Sequence, residues 1–255
     1  MQPCVFAIAA HPDDIEFSMA GTLLLLKRAG CEIHYMNLSK GSCGSREHDA
    51  ETTAAIRLIE AQNAAARMGA VFHHPLTNDF EIYYEKNLLA RLGSIIRSVA
   101  PDILLIPSPQ DYMEDHTNTC RLAVSAAFSR AMVNLPVDPP QPAILKDIVL
   151  YHAQPFGNRD GLNRLIIPDL FVNIGDVLEE KRAALSEHKS QKNWLDESQA
   201  MDSYLDTMVG FAREMGDLSG QCQFAEGWRR HNPLGLCDPL NDPVCELLSP
   251  YVLYR

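Results

Sequence analysis

The stretch Cys4-Val5-Phe6-Ala7-Ile8-Ala9-Ala10-His11-Pro12-Asp13-Asp14-Ile15-Glu16 decides the reading of the fold. Its first five residues form a short apolar run, the pattern of a buried strand. The run ends in one imidazole and two adjacent carboxylates packed into four residues. In an open parallel sheet, ligands bind outside the carboxyl ends of the strands. Histidine and carboxylate suit a divalent metal such as zinc, and the second carboxylate is then free to act as a base. The same residues also read as a plain turn with a helix N-cap, because Pro and Asp are common at helix starts.

Outward from this stretch, strands and helices alternate. Helical spacing runs from Glu16 to Ala29 and stops at Gly30. Glu32 to Leu38 alternates as a second strand and empties into the loop Ser39-Lys40-Gly41-Ser42-Cys43-Gly44-Ser45-Arg46. An Ala-rich helix is predicted from about Ala50 to Met68, a short strand at 70–74, a helix over 87–99 and an apolar fourth strand over 102–106. A further helix is expected over about 117–133, strands at 148–152 and 170–174, and helices over 175–188 and 201–215. Phe224-Ala225-Glu226-Gly227-Trp228 reads as irregular. The βαβαβαβ order with wholly apolar strands predicts a Rossmann-like, doubly wound, mostly parallel sheet flanked by helices. The Pro-rich segment at 137–142 is too short for a linker, so residues 1–255 are expected to form one domain. No GxGxxG follows the first strand and no GxxxxGK[ST] occurs, so no dinucleotide site is expected.

Composition narrows the partners. A net charge of −11 argues against nucleic acid or an anionic membrane as partner. The longest pure leucine run is Leu23 to Leu26, far short of a membrane span. The N-terminus has no basic region paired with a signal-type apolar run. Seven cysteines, without CxxC spacing, read as reduced thiols. A cytoplasmic location is therefore expected.

A metal held by His11 and Asp14 needs a third ligand from another strand end. Tyr112-Met113-Glu114-Asp115-His116-Thr117 follows the fourth strand, which can neighbour the first across the switch point of the sheet. A His11–Asp14–His116 set would leave one position open for water, as catalytic zinc requires. Alone, His116 reads equally as a helix cap or a solvated histidine.

With these residues in view, the chain resembles the PIG-L/LmbE-like family of zinc-dependent deacetylases of N-acetylglucosamine-containing substrates. The matching segments are AHPDDIEFSMAGTLLLLKRAG at 10–30, LSKGSCGS at 38–45, AIRLIEAQNAAARMGA at 55–70, DHTNT at 115–119, IPDLFVNIGDVLEEKRAALSEHKSQ at 167–191 and FAEGWR at 224–229. The resemblance implies His11, Asp14 and His116 as ligands of zinc, or of another divalent metal, and Asp13 as the general base for the attacking water. It implies removal of an acetyl group from an amino-sugar nitrogen, with a small-molecule amino-sugar partner and a trimeric or hexameric homo-oligomer. The alternatives are a metal hydrolase of another amide or ester, and a degenerate sugar-binding member of the fold.

One position departs from the family pattern. Many members carry His-Pro-Asp-His, whose first histidine stabilises the oxyanion, whereas this chain has Met113-Glu114-Asp115-His116. A thioether carries no charge and donates no hydrogen bond. His188 is the expected substitute, against the reading that it only ends its helix favourably, and Tyr112 is a second donor candidate. Arg57 matches a family position for binding substrate, although Arg57 and Glu60 also have the spacing of an exposed ion pair. Asp79 matches a loop that holds a sugar-hydroxyl acceptor, and reads equally as a turn former. Met19, Met36 and Met68 read as core filler.

Overall fold

A computed structural model describes residues 2–191 and 204–254 of the chain. Eight strands form one sheet: β1 (Cys4–Ala9), β2 (Glu32–Asn37), β3 (Val71–His73), β4 (Ile103–Ile106), β5 (Val149–Ala153), β6 (Leu170–Asn173), β7 (Ala225–Arg230) and β8 (Val252–Tyr254). Their order across the sheet is β3-β2-β1-β4-β5-β7-β6-β8. The pairings among the first five are all parallel. The pairings that bring in β7, β6 and β8 are antiparallel. The expected parallel architecture thus holds for the first 153 residues, and the C-terminal third adds an antiparallel extension.

β1 shows why apolar runs without alternation fit here. Val5, Ala7 and Ala9 point into one core and Phe6, Ile8 and Ala10 into the other. A strand covered on both faces reads as continuously hydrophobic. Each fully buried Ile or Leu in such a strand contributes about 1.5–3 kcal/mol through removal from water. On one face lie α1 (Asp14–Ser18), α2 (Ala20–Arg28), α3 (Ala50–Arg67), α6 (Leu178–Leu185) and α7 (Tyr204–Ser219); on the other lie α4 (Lys86–Val99) and α5 (Glu114–Phe128). A short α8 (Pro243–Leu247) precedes β8. Met19, Met36 and Met68 all lie in the core.

Five local expectations are corrected. The predicted helix over 16–29 is broken at Met19, whose φ is −133°. The break exposes the first amides of α2, and Glu226 takes them: Gly21 N and Thr22 N donate to its carboxylate at 2.8 and 2.7 Å. A carboxylate at a helix N-terminus satisfies otherwise unpaired donors and the dipole. Of the segment 224–228, read as irregular, residues 225–228 belong to β7; Glu226 and Gly227 have weak strand propensity, but β5 and β6 pair with it on both sides. The helix expected over 117–133 starts earlier, at Glu114, and ends at Phe128 before a 3-10 turn at Ser129–Ala131. The helix expected over 175–188 is a 3-10 turn at Gly175–Val177 followed by α6, so His188 lies beyond its end. The helix expected over 201–215 begins, within the described residues, at Tyr204 and continues to Ser219.

β1 sits between β2 and β4. The loops that leave the carboxyl ends of β1 and β4 therefore flank the switch point of the sheet, where ligand sites form.

Candidate metal centre

The β1 exit is a tight turn. His11 N donates to Asp14 Oδ2 at 2.8 Å, and Asn37 Nδ2 donates to His11 O at 2.6 Å. Asp13 takes a φ of 108°, the left-handed region. That conformation turns neighbouring side chains to different faces, so the two carboxylates part company. Asp14 joins the histidines. Asp13 is held separately: the Tyr204 hydroxyl donates to its Oδ2 at 2.6 Å, and Arg57 Nη2 stands 3.6 Å from the same oxygen.

The three expected ligands converge. His11 Nδ1 and His116 Nε2 are 3.3 Å apart, and they lie 3.5 and 3.4 Å from Asp14 Oδ2. A tetrahedral ion with bonds of about 2.0–2.1 Å has ligand-to-ligand edges of about 3.3–3.4 Å. The far nitrogens face carboxylates: His11 Nε2 lies 3.0 Å from Asp115 Oδ2 and His116 Nδ1 lies 3.0 Å from Asp111 Oδ1. In the neutral rings those nitrogens carry the protons, which leaves two imidazole lone pairs and a carboxylate oxygen pointing at one spot. Such a set is repulsive unless a cation sits between them, and carboxylate–histidine–metal chains are how ligating histidines are oriented. The residues present fit a divalent metal.

Electrostatics agree. Burial opposes charge on His11, but Asp115 and Asp14 outweigh it and raise its pKa to about 9. Burial likewise opposes charge on His116, yet Asp14 and Asp111 raise it well above the ordinary range. Burial pushes Asp14 up, but His116 and His11 prevail and hold it well below the usual carboxylate range. The site calls for positive charge. Burial raises Asp13, while Arg57, His188 and Tyr204 pull it back.

These groups open into a cavity of about 510 Å³, within the range that takes a small ligand. His11, Asp13, Asp14 and His116 line it, and Phe80, Tyr112 and Phe156 give it an aromatic wall. Met113 also lines it, so no imidazole occupies that position. Tyr112 is 59% exposed, its ring edge-on to that of His116 at 5.8 Å.

Arg57 and Asp79 reach the cavity but are already engaged. Arg57 donates to Pro12 O and, at 3.2 Å, to Gly41 O. Asp79 accepts from Gly41 N at 2.7 Å and Cys43 N at 2.8 Å. Both therefore pin the 39–45 loop. The alternative Arg57–Glu60 surface pair does not form: both residues are buried, and Glu60 accepts from Ser190 N and Oγ at 2.8 and 2.6 Å. His188 does not point into the cavity as expected. It is completely buried, with Nε2 3.4 Å from Glu16 Oε2. It stands beyond the end of α6, beside Glu16 and near enough to Asp13 for the two charges to interact. Burial opposes its charge, but Glu16 and Asp13 outweigh this and raise its pKa.

Three contributors were not read from the sequence: Asp111, Tyr204 and Phe80. Asp111 had a legible signal, since a second acid just before Asp115-His116 suits an outer partner for a ligand. Phe80 takes a φ of 60° and its N–H donates to Asp115 Oδ2 at 2.7 Å, which ties the cavity rim to the carboxylate behind His11. Tyr204 had no local signal.

The fold and site define an α/β protein with a candidate metal centre at the switch point of its sheet. The sequence pattern of the PIG-L family, described as GlcNAc-PI de-N-acetylase, matches residues 6–127 of the chain. It is 28% identical over 238 residues to the diacetylchitobiose deacetylase of Thermococcus kodakarensis, covering 88% of this chain and 82% of that one. Among solved structures, the N,N'-diacetylchitobiose deacetylase of Pyrococcus horikoshii superposes with a TM-score of 0.74 at 25% identity, covering 94% of this chain and 88% of that one. The 4-carboxy-2-hydroxymuconate hydratase of Pseudomonas putida superposes with a TM-score of 0.75 at 22% identity, covering 91% and 97%, a likeness of fold.

Proposed function

We propose that this chain is a zinc-dependent hydrolase that removes an N-acetyl group from an N-acetylglucosamine-type amino sugar or its conjugate. One observation carries the reading: three converging donors with edges of 3.3–3.5 Å stand beside a separately held carboxylate, Asp13, at the floor of a cavity. The deacetylases similar to this chain support the substrate class.

When bound, zinc polarises the amide carbonyl and makes water more acidic. Asp13 takes the proton of the attacking water and returns it to the amine nitrogen as the C–N bond breaks, so that water and amide become acetate and amine. Tyr204 occupies Asp13 Oδ2, so we assign the proton to Oδ1. Arg57 ties the turn at Pro12 to Gly41 and keeps cationic charge beside Asp13. Asp79 fixes the loop that the sugar meets. Tyr112, at the cavity wall, supplies the hydroxyl donor that Met113 lacks. His188 acts through Asp13 by its charge, without touching substrate.

The remaining parts of the reading are a single domain over 1–255, a cytoplasmic location and a homo-oligomer. One sheet with strands from both ends of the chain supports the first. All seven cysteines are free, which supports a reducing compartment. Among the described residues, no helix is long and apolar enough to cross a membrane.

The test is amine release from a panel of N-acetylglucosaminides, including N,N'-diacetylchitobiose, by chelator-stripped and zinc-loaded protein. Release by the loaded form alone, and none by Asp13→Asn, is expected. Amine release from no N-acetylated sugar by zinc-loaded protein would overturn the deacetylase reading.

A further inference from the structure

A second set of metal-type side chains lies at the opposite end of the sheet. Cys4 and Glu32 open β1 and β2 and are paired in register, and His34 follows two residues on along the same face. One donor atom from each of Cys4, Glu32 and His34 lies within 4.8 Å of the other two. His34 Nε2 is 3.6 Å from Glu32 Oε1. β1 separates this group from the turn at His11 by roughly 17 Å, at about 3.3 Å per residue.

The surroundings are those of a ligand set rather than of a surface cluster. Cys4 is buried, and its N–H donates to Asp102 Oδ2 at 2.8 Å, which fixes the backbone beneath the thiol. The His34 ring is packed against Phe6 and stacked on His73. His34 Nδ1 meets His73 Nε2 at 2.8 Å. With the shared proton on His34 Nδ1, the bond orients the ring and leaves the Nε2 lone pair toward Glu32. An oriented histidine whose far nitrogen is hydrogen-bonded is the usual arrangement at protein metal sites. Glu32 is half-exposed and free to rotate inward by the ångström or so that closure needs.

We propose that Cys4, Glu32 and His34 form a second metal site, with His73 as the outer partner of His34, selective for zinc-like divalent ions. Thiolate, imidazole and carboxylate together are borderline-soft ligands that favour zinc or cobalt over magnesium or calcium. On binding, Cys4 gives its proton to solvent and becomes the anionic ligand. The site clamps the starts of the two strands whose ends carry the catalytic turn and its neighbour, and it takes no part in the deacetylation proposed above.

The test is titration of the full-length, reduced, chelator-stripped protein with Co²⁺, read by absorbance and by bound metal. We expect two equivalents, one of which brings a thiolate-to-cobalt band in the near ultraviolet. Cys4→Ser and His34→Gln should each lose the band and one equivalent while amine release persists. A His116→Gln, Asp14→Asn double variant should lose the other equivalent and keep the band. A wild-type chain with one equivalent and no thiolate band overturns the second site, as does a band that survives Cys4→Ser. Absent amine release with the band present would count against the deacetylase reading alone.

Discussion

Asp13 is a non-glycine residue at a φ of 108°, a conformation that costs on the order of 1–3 kcal/mol and persists only where surroundings enforce it. Here Tyr204 and Arg57 do so, and the gain is that adjacent carboxylates serve different ends. Asp13→Asn should leave metal content unchanged and lower kcat by roughly 10²- to 10⁴-fold, the span of general-base catalysis. Tyr204→Phe removes one hydrogen bond to a charged group, so kcat should fall roughly 10- to 100-fold with little change in KM. Asp115→Ala should weaken metal binding about 10- to 100-fold, measurable by competition with a chromogenic chelator, because His11 loses its orienting partner. At this scale His11, Asp13, Asp14 and His116 were legible because each sits next to a strand end that hydrophobicity announces. Tyr204 was not, because its partner lies 191 residues away. His188 was misread because a histidine at a helix end gives no sign of which side of the carboxylate it occupies.

The start of α2 is set from β7. Glu226 accepts from Gly21 N, Thr22 N and Thr22 Oγ1, and it pairs with buried Lys181 at 2.6 Å. Glu226→Ala removes a cap and strands a buried ammonium, a change that typically costs 3–5 kcal/mol. A fall in the urea midpoint with an unchanged m-value would check it. Gly21 belongs to the same joint: a Cβ there would stand 2.6 Å from Ile174 Cγ2, so only glycine fits. Strands buried on both faces were readable from apolar runs alone, and so were α3 and α4 from their periodicity. The break at Met19 and the strand at 225–230 were not. Both depend on Glu226 meeting the amides of α2, a contact that no local window of sequence contains.

For the whole molecule, the sequence conveyed the parallel half of the sheet, since alternating strand and helix admit few topologies. The antiparallel extension escaped it because β7 and β8 are polar or short. The response of the molecule to acid follows from a buried histidine in that joint. His152 Nδ1 lies 3.0 Å from Pro107 O and its Nε2 lies 2.8 Å from His231 Nδ1, so the buried ring is held at both nitrogens. Burial holds its pKa down to about 4. Because the unfolded chain takes up that proton near 6.5, stability is fully present above pH 6.5 and is lost as pH falls toward 4. The loss is on the order of 3 kcal/mol. His152→Gln should flatten the dependence of Tm on pH across that window. The central claim, that the His11–Asp14–His116 centre and Asp13 together deacetylate an amino sugar, is met most directly by following amine release while zinc is returned to stripped protein. The account predicts release from an N-acetylglucosaminide that rises with added zinc in the wild-type chain and stays absent in Asp13→Asn at every zinc concentration. Release that survives removal of the metal, or that Asp13→Asn retains in full, would contradict it.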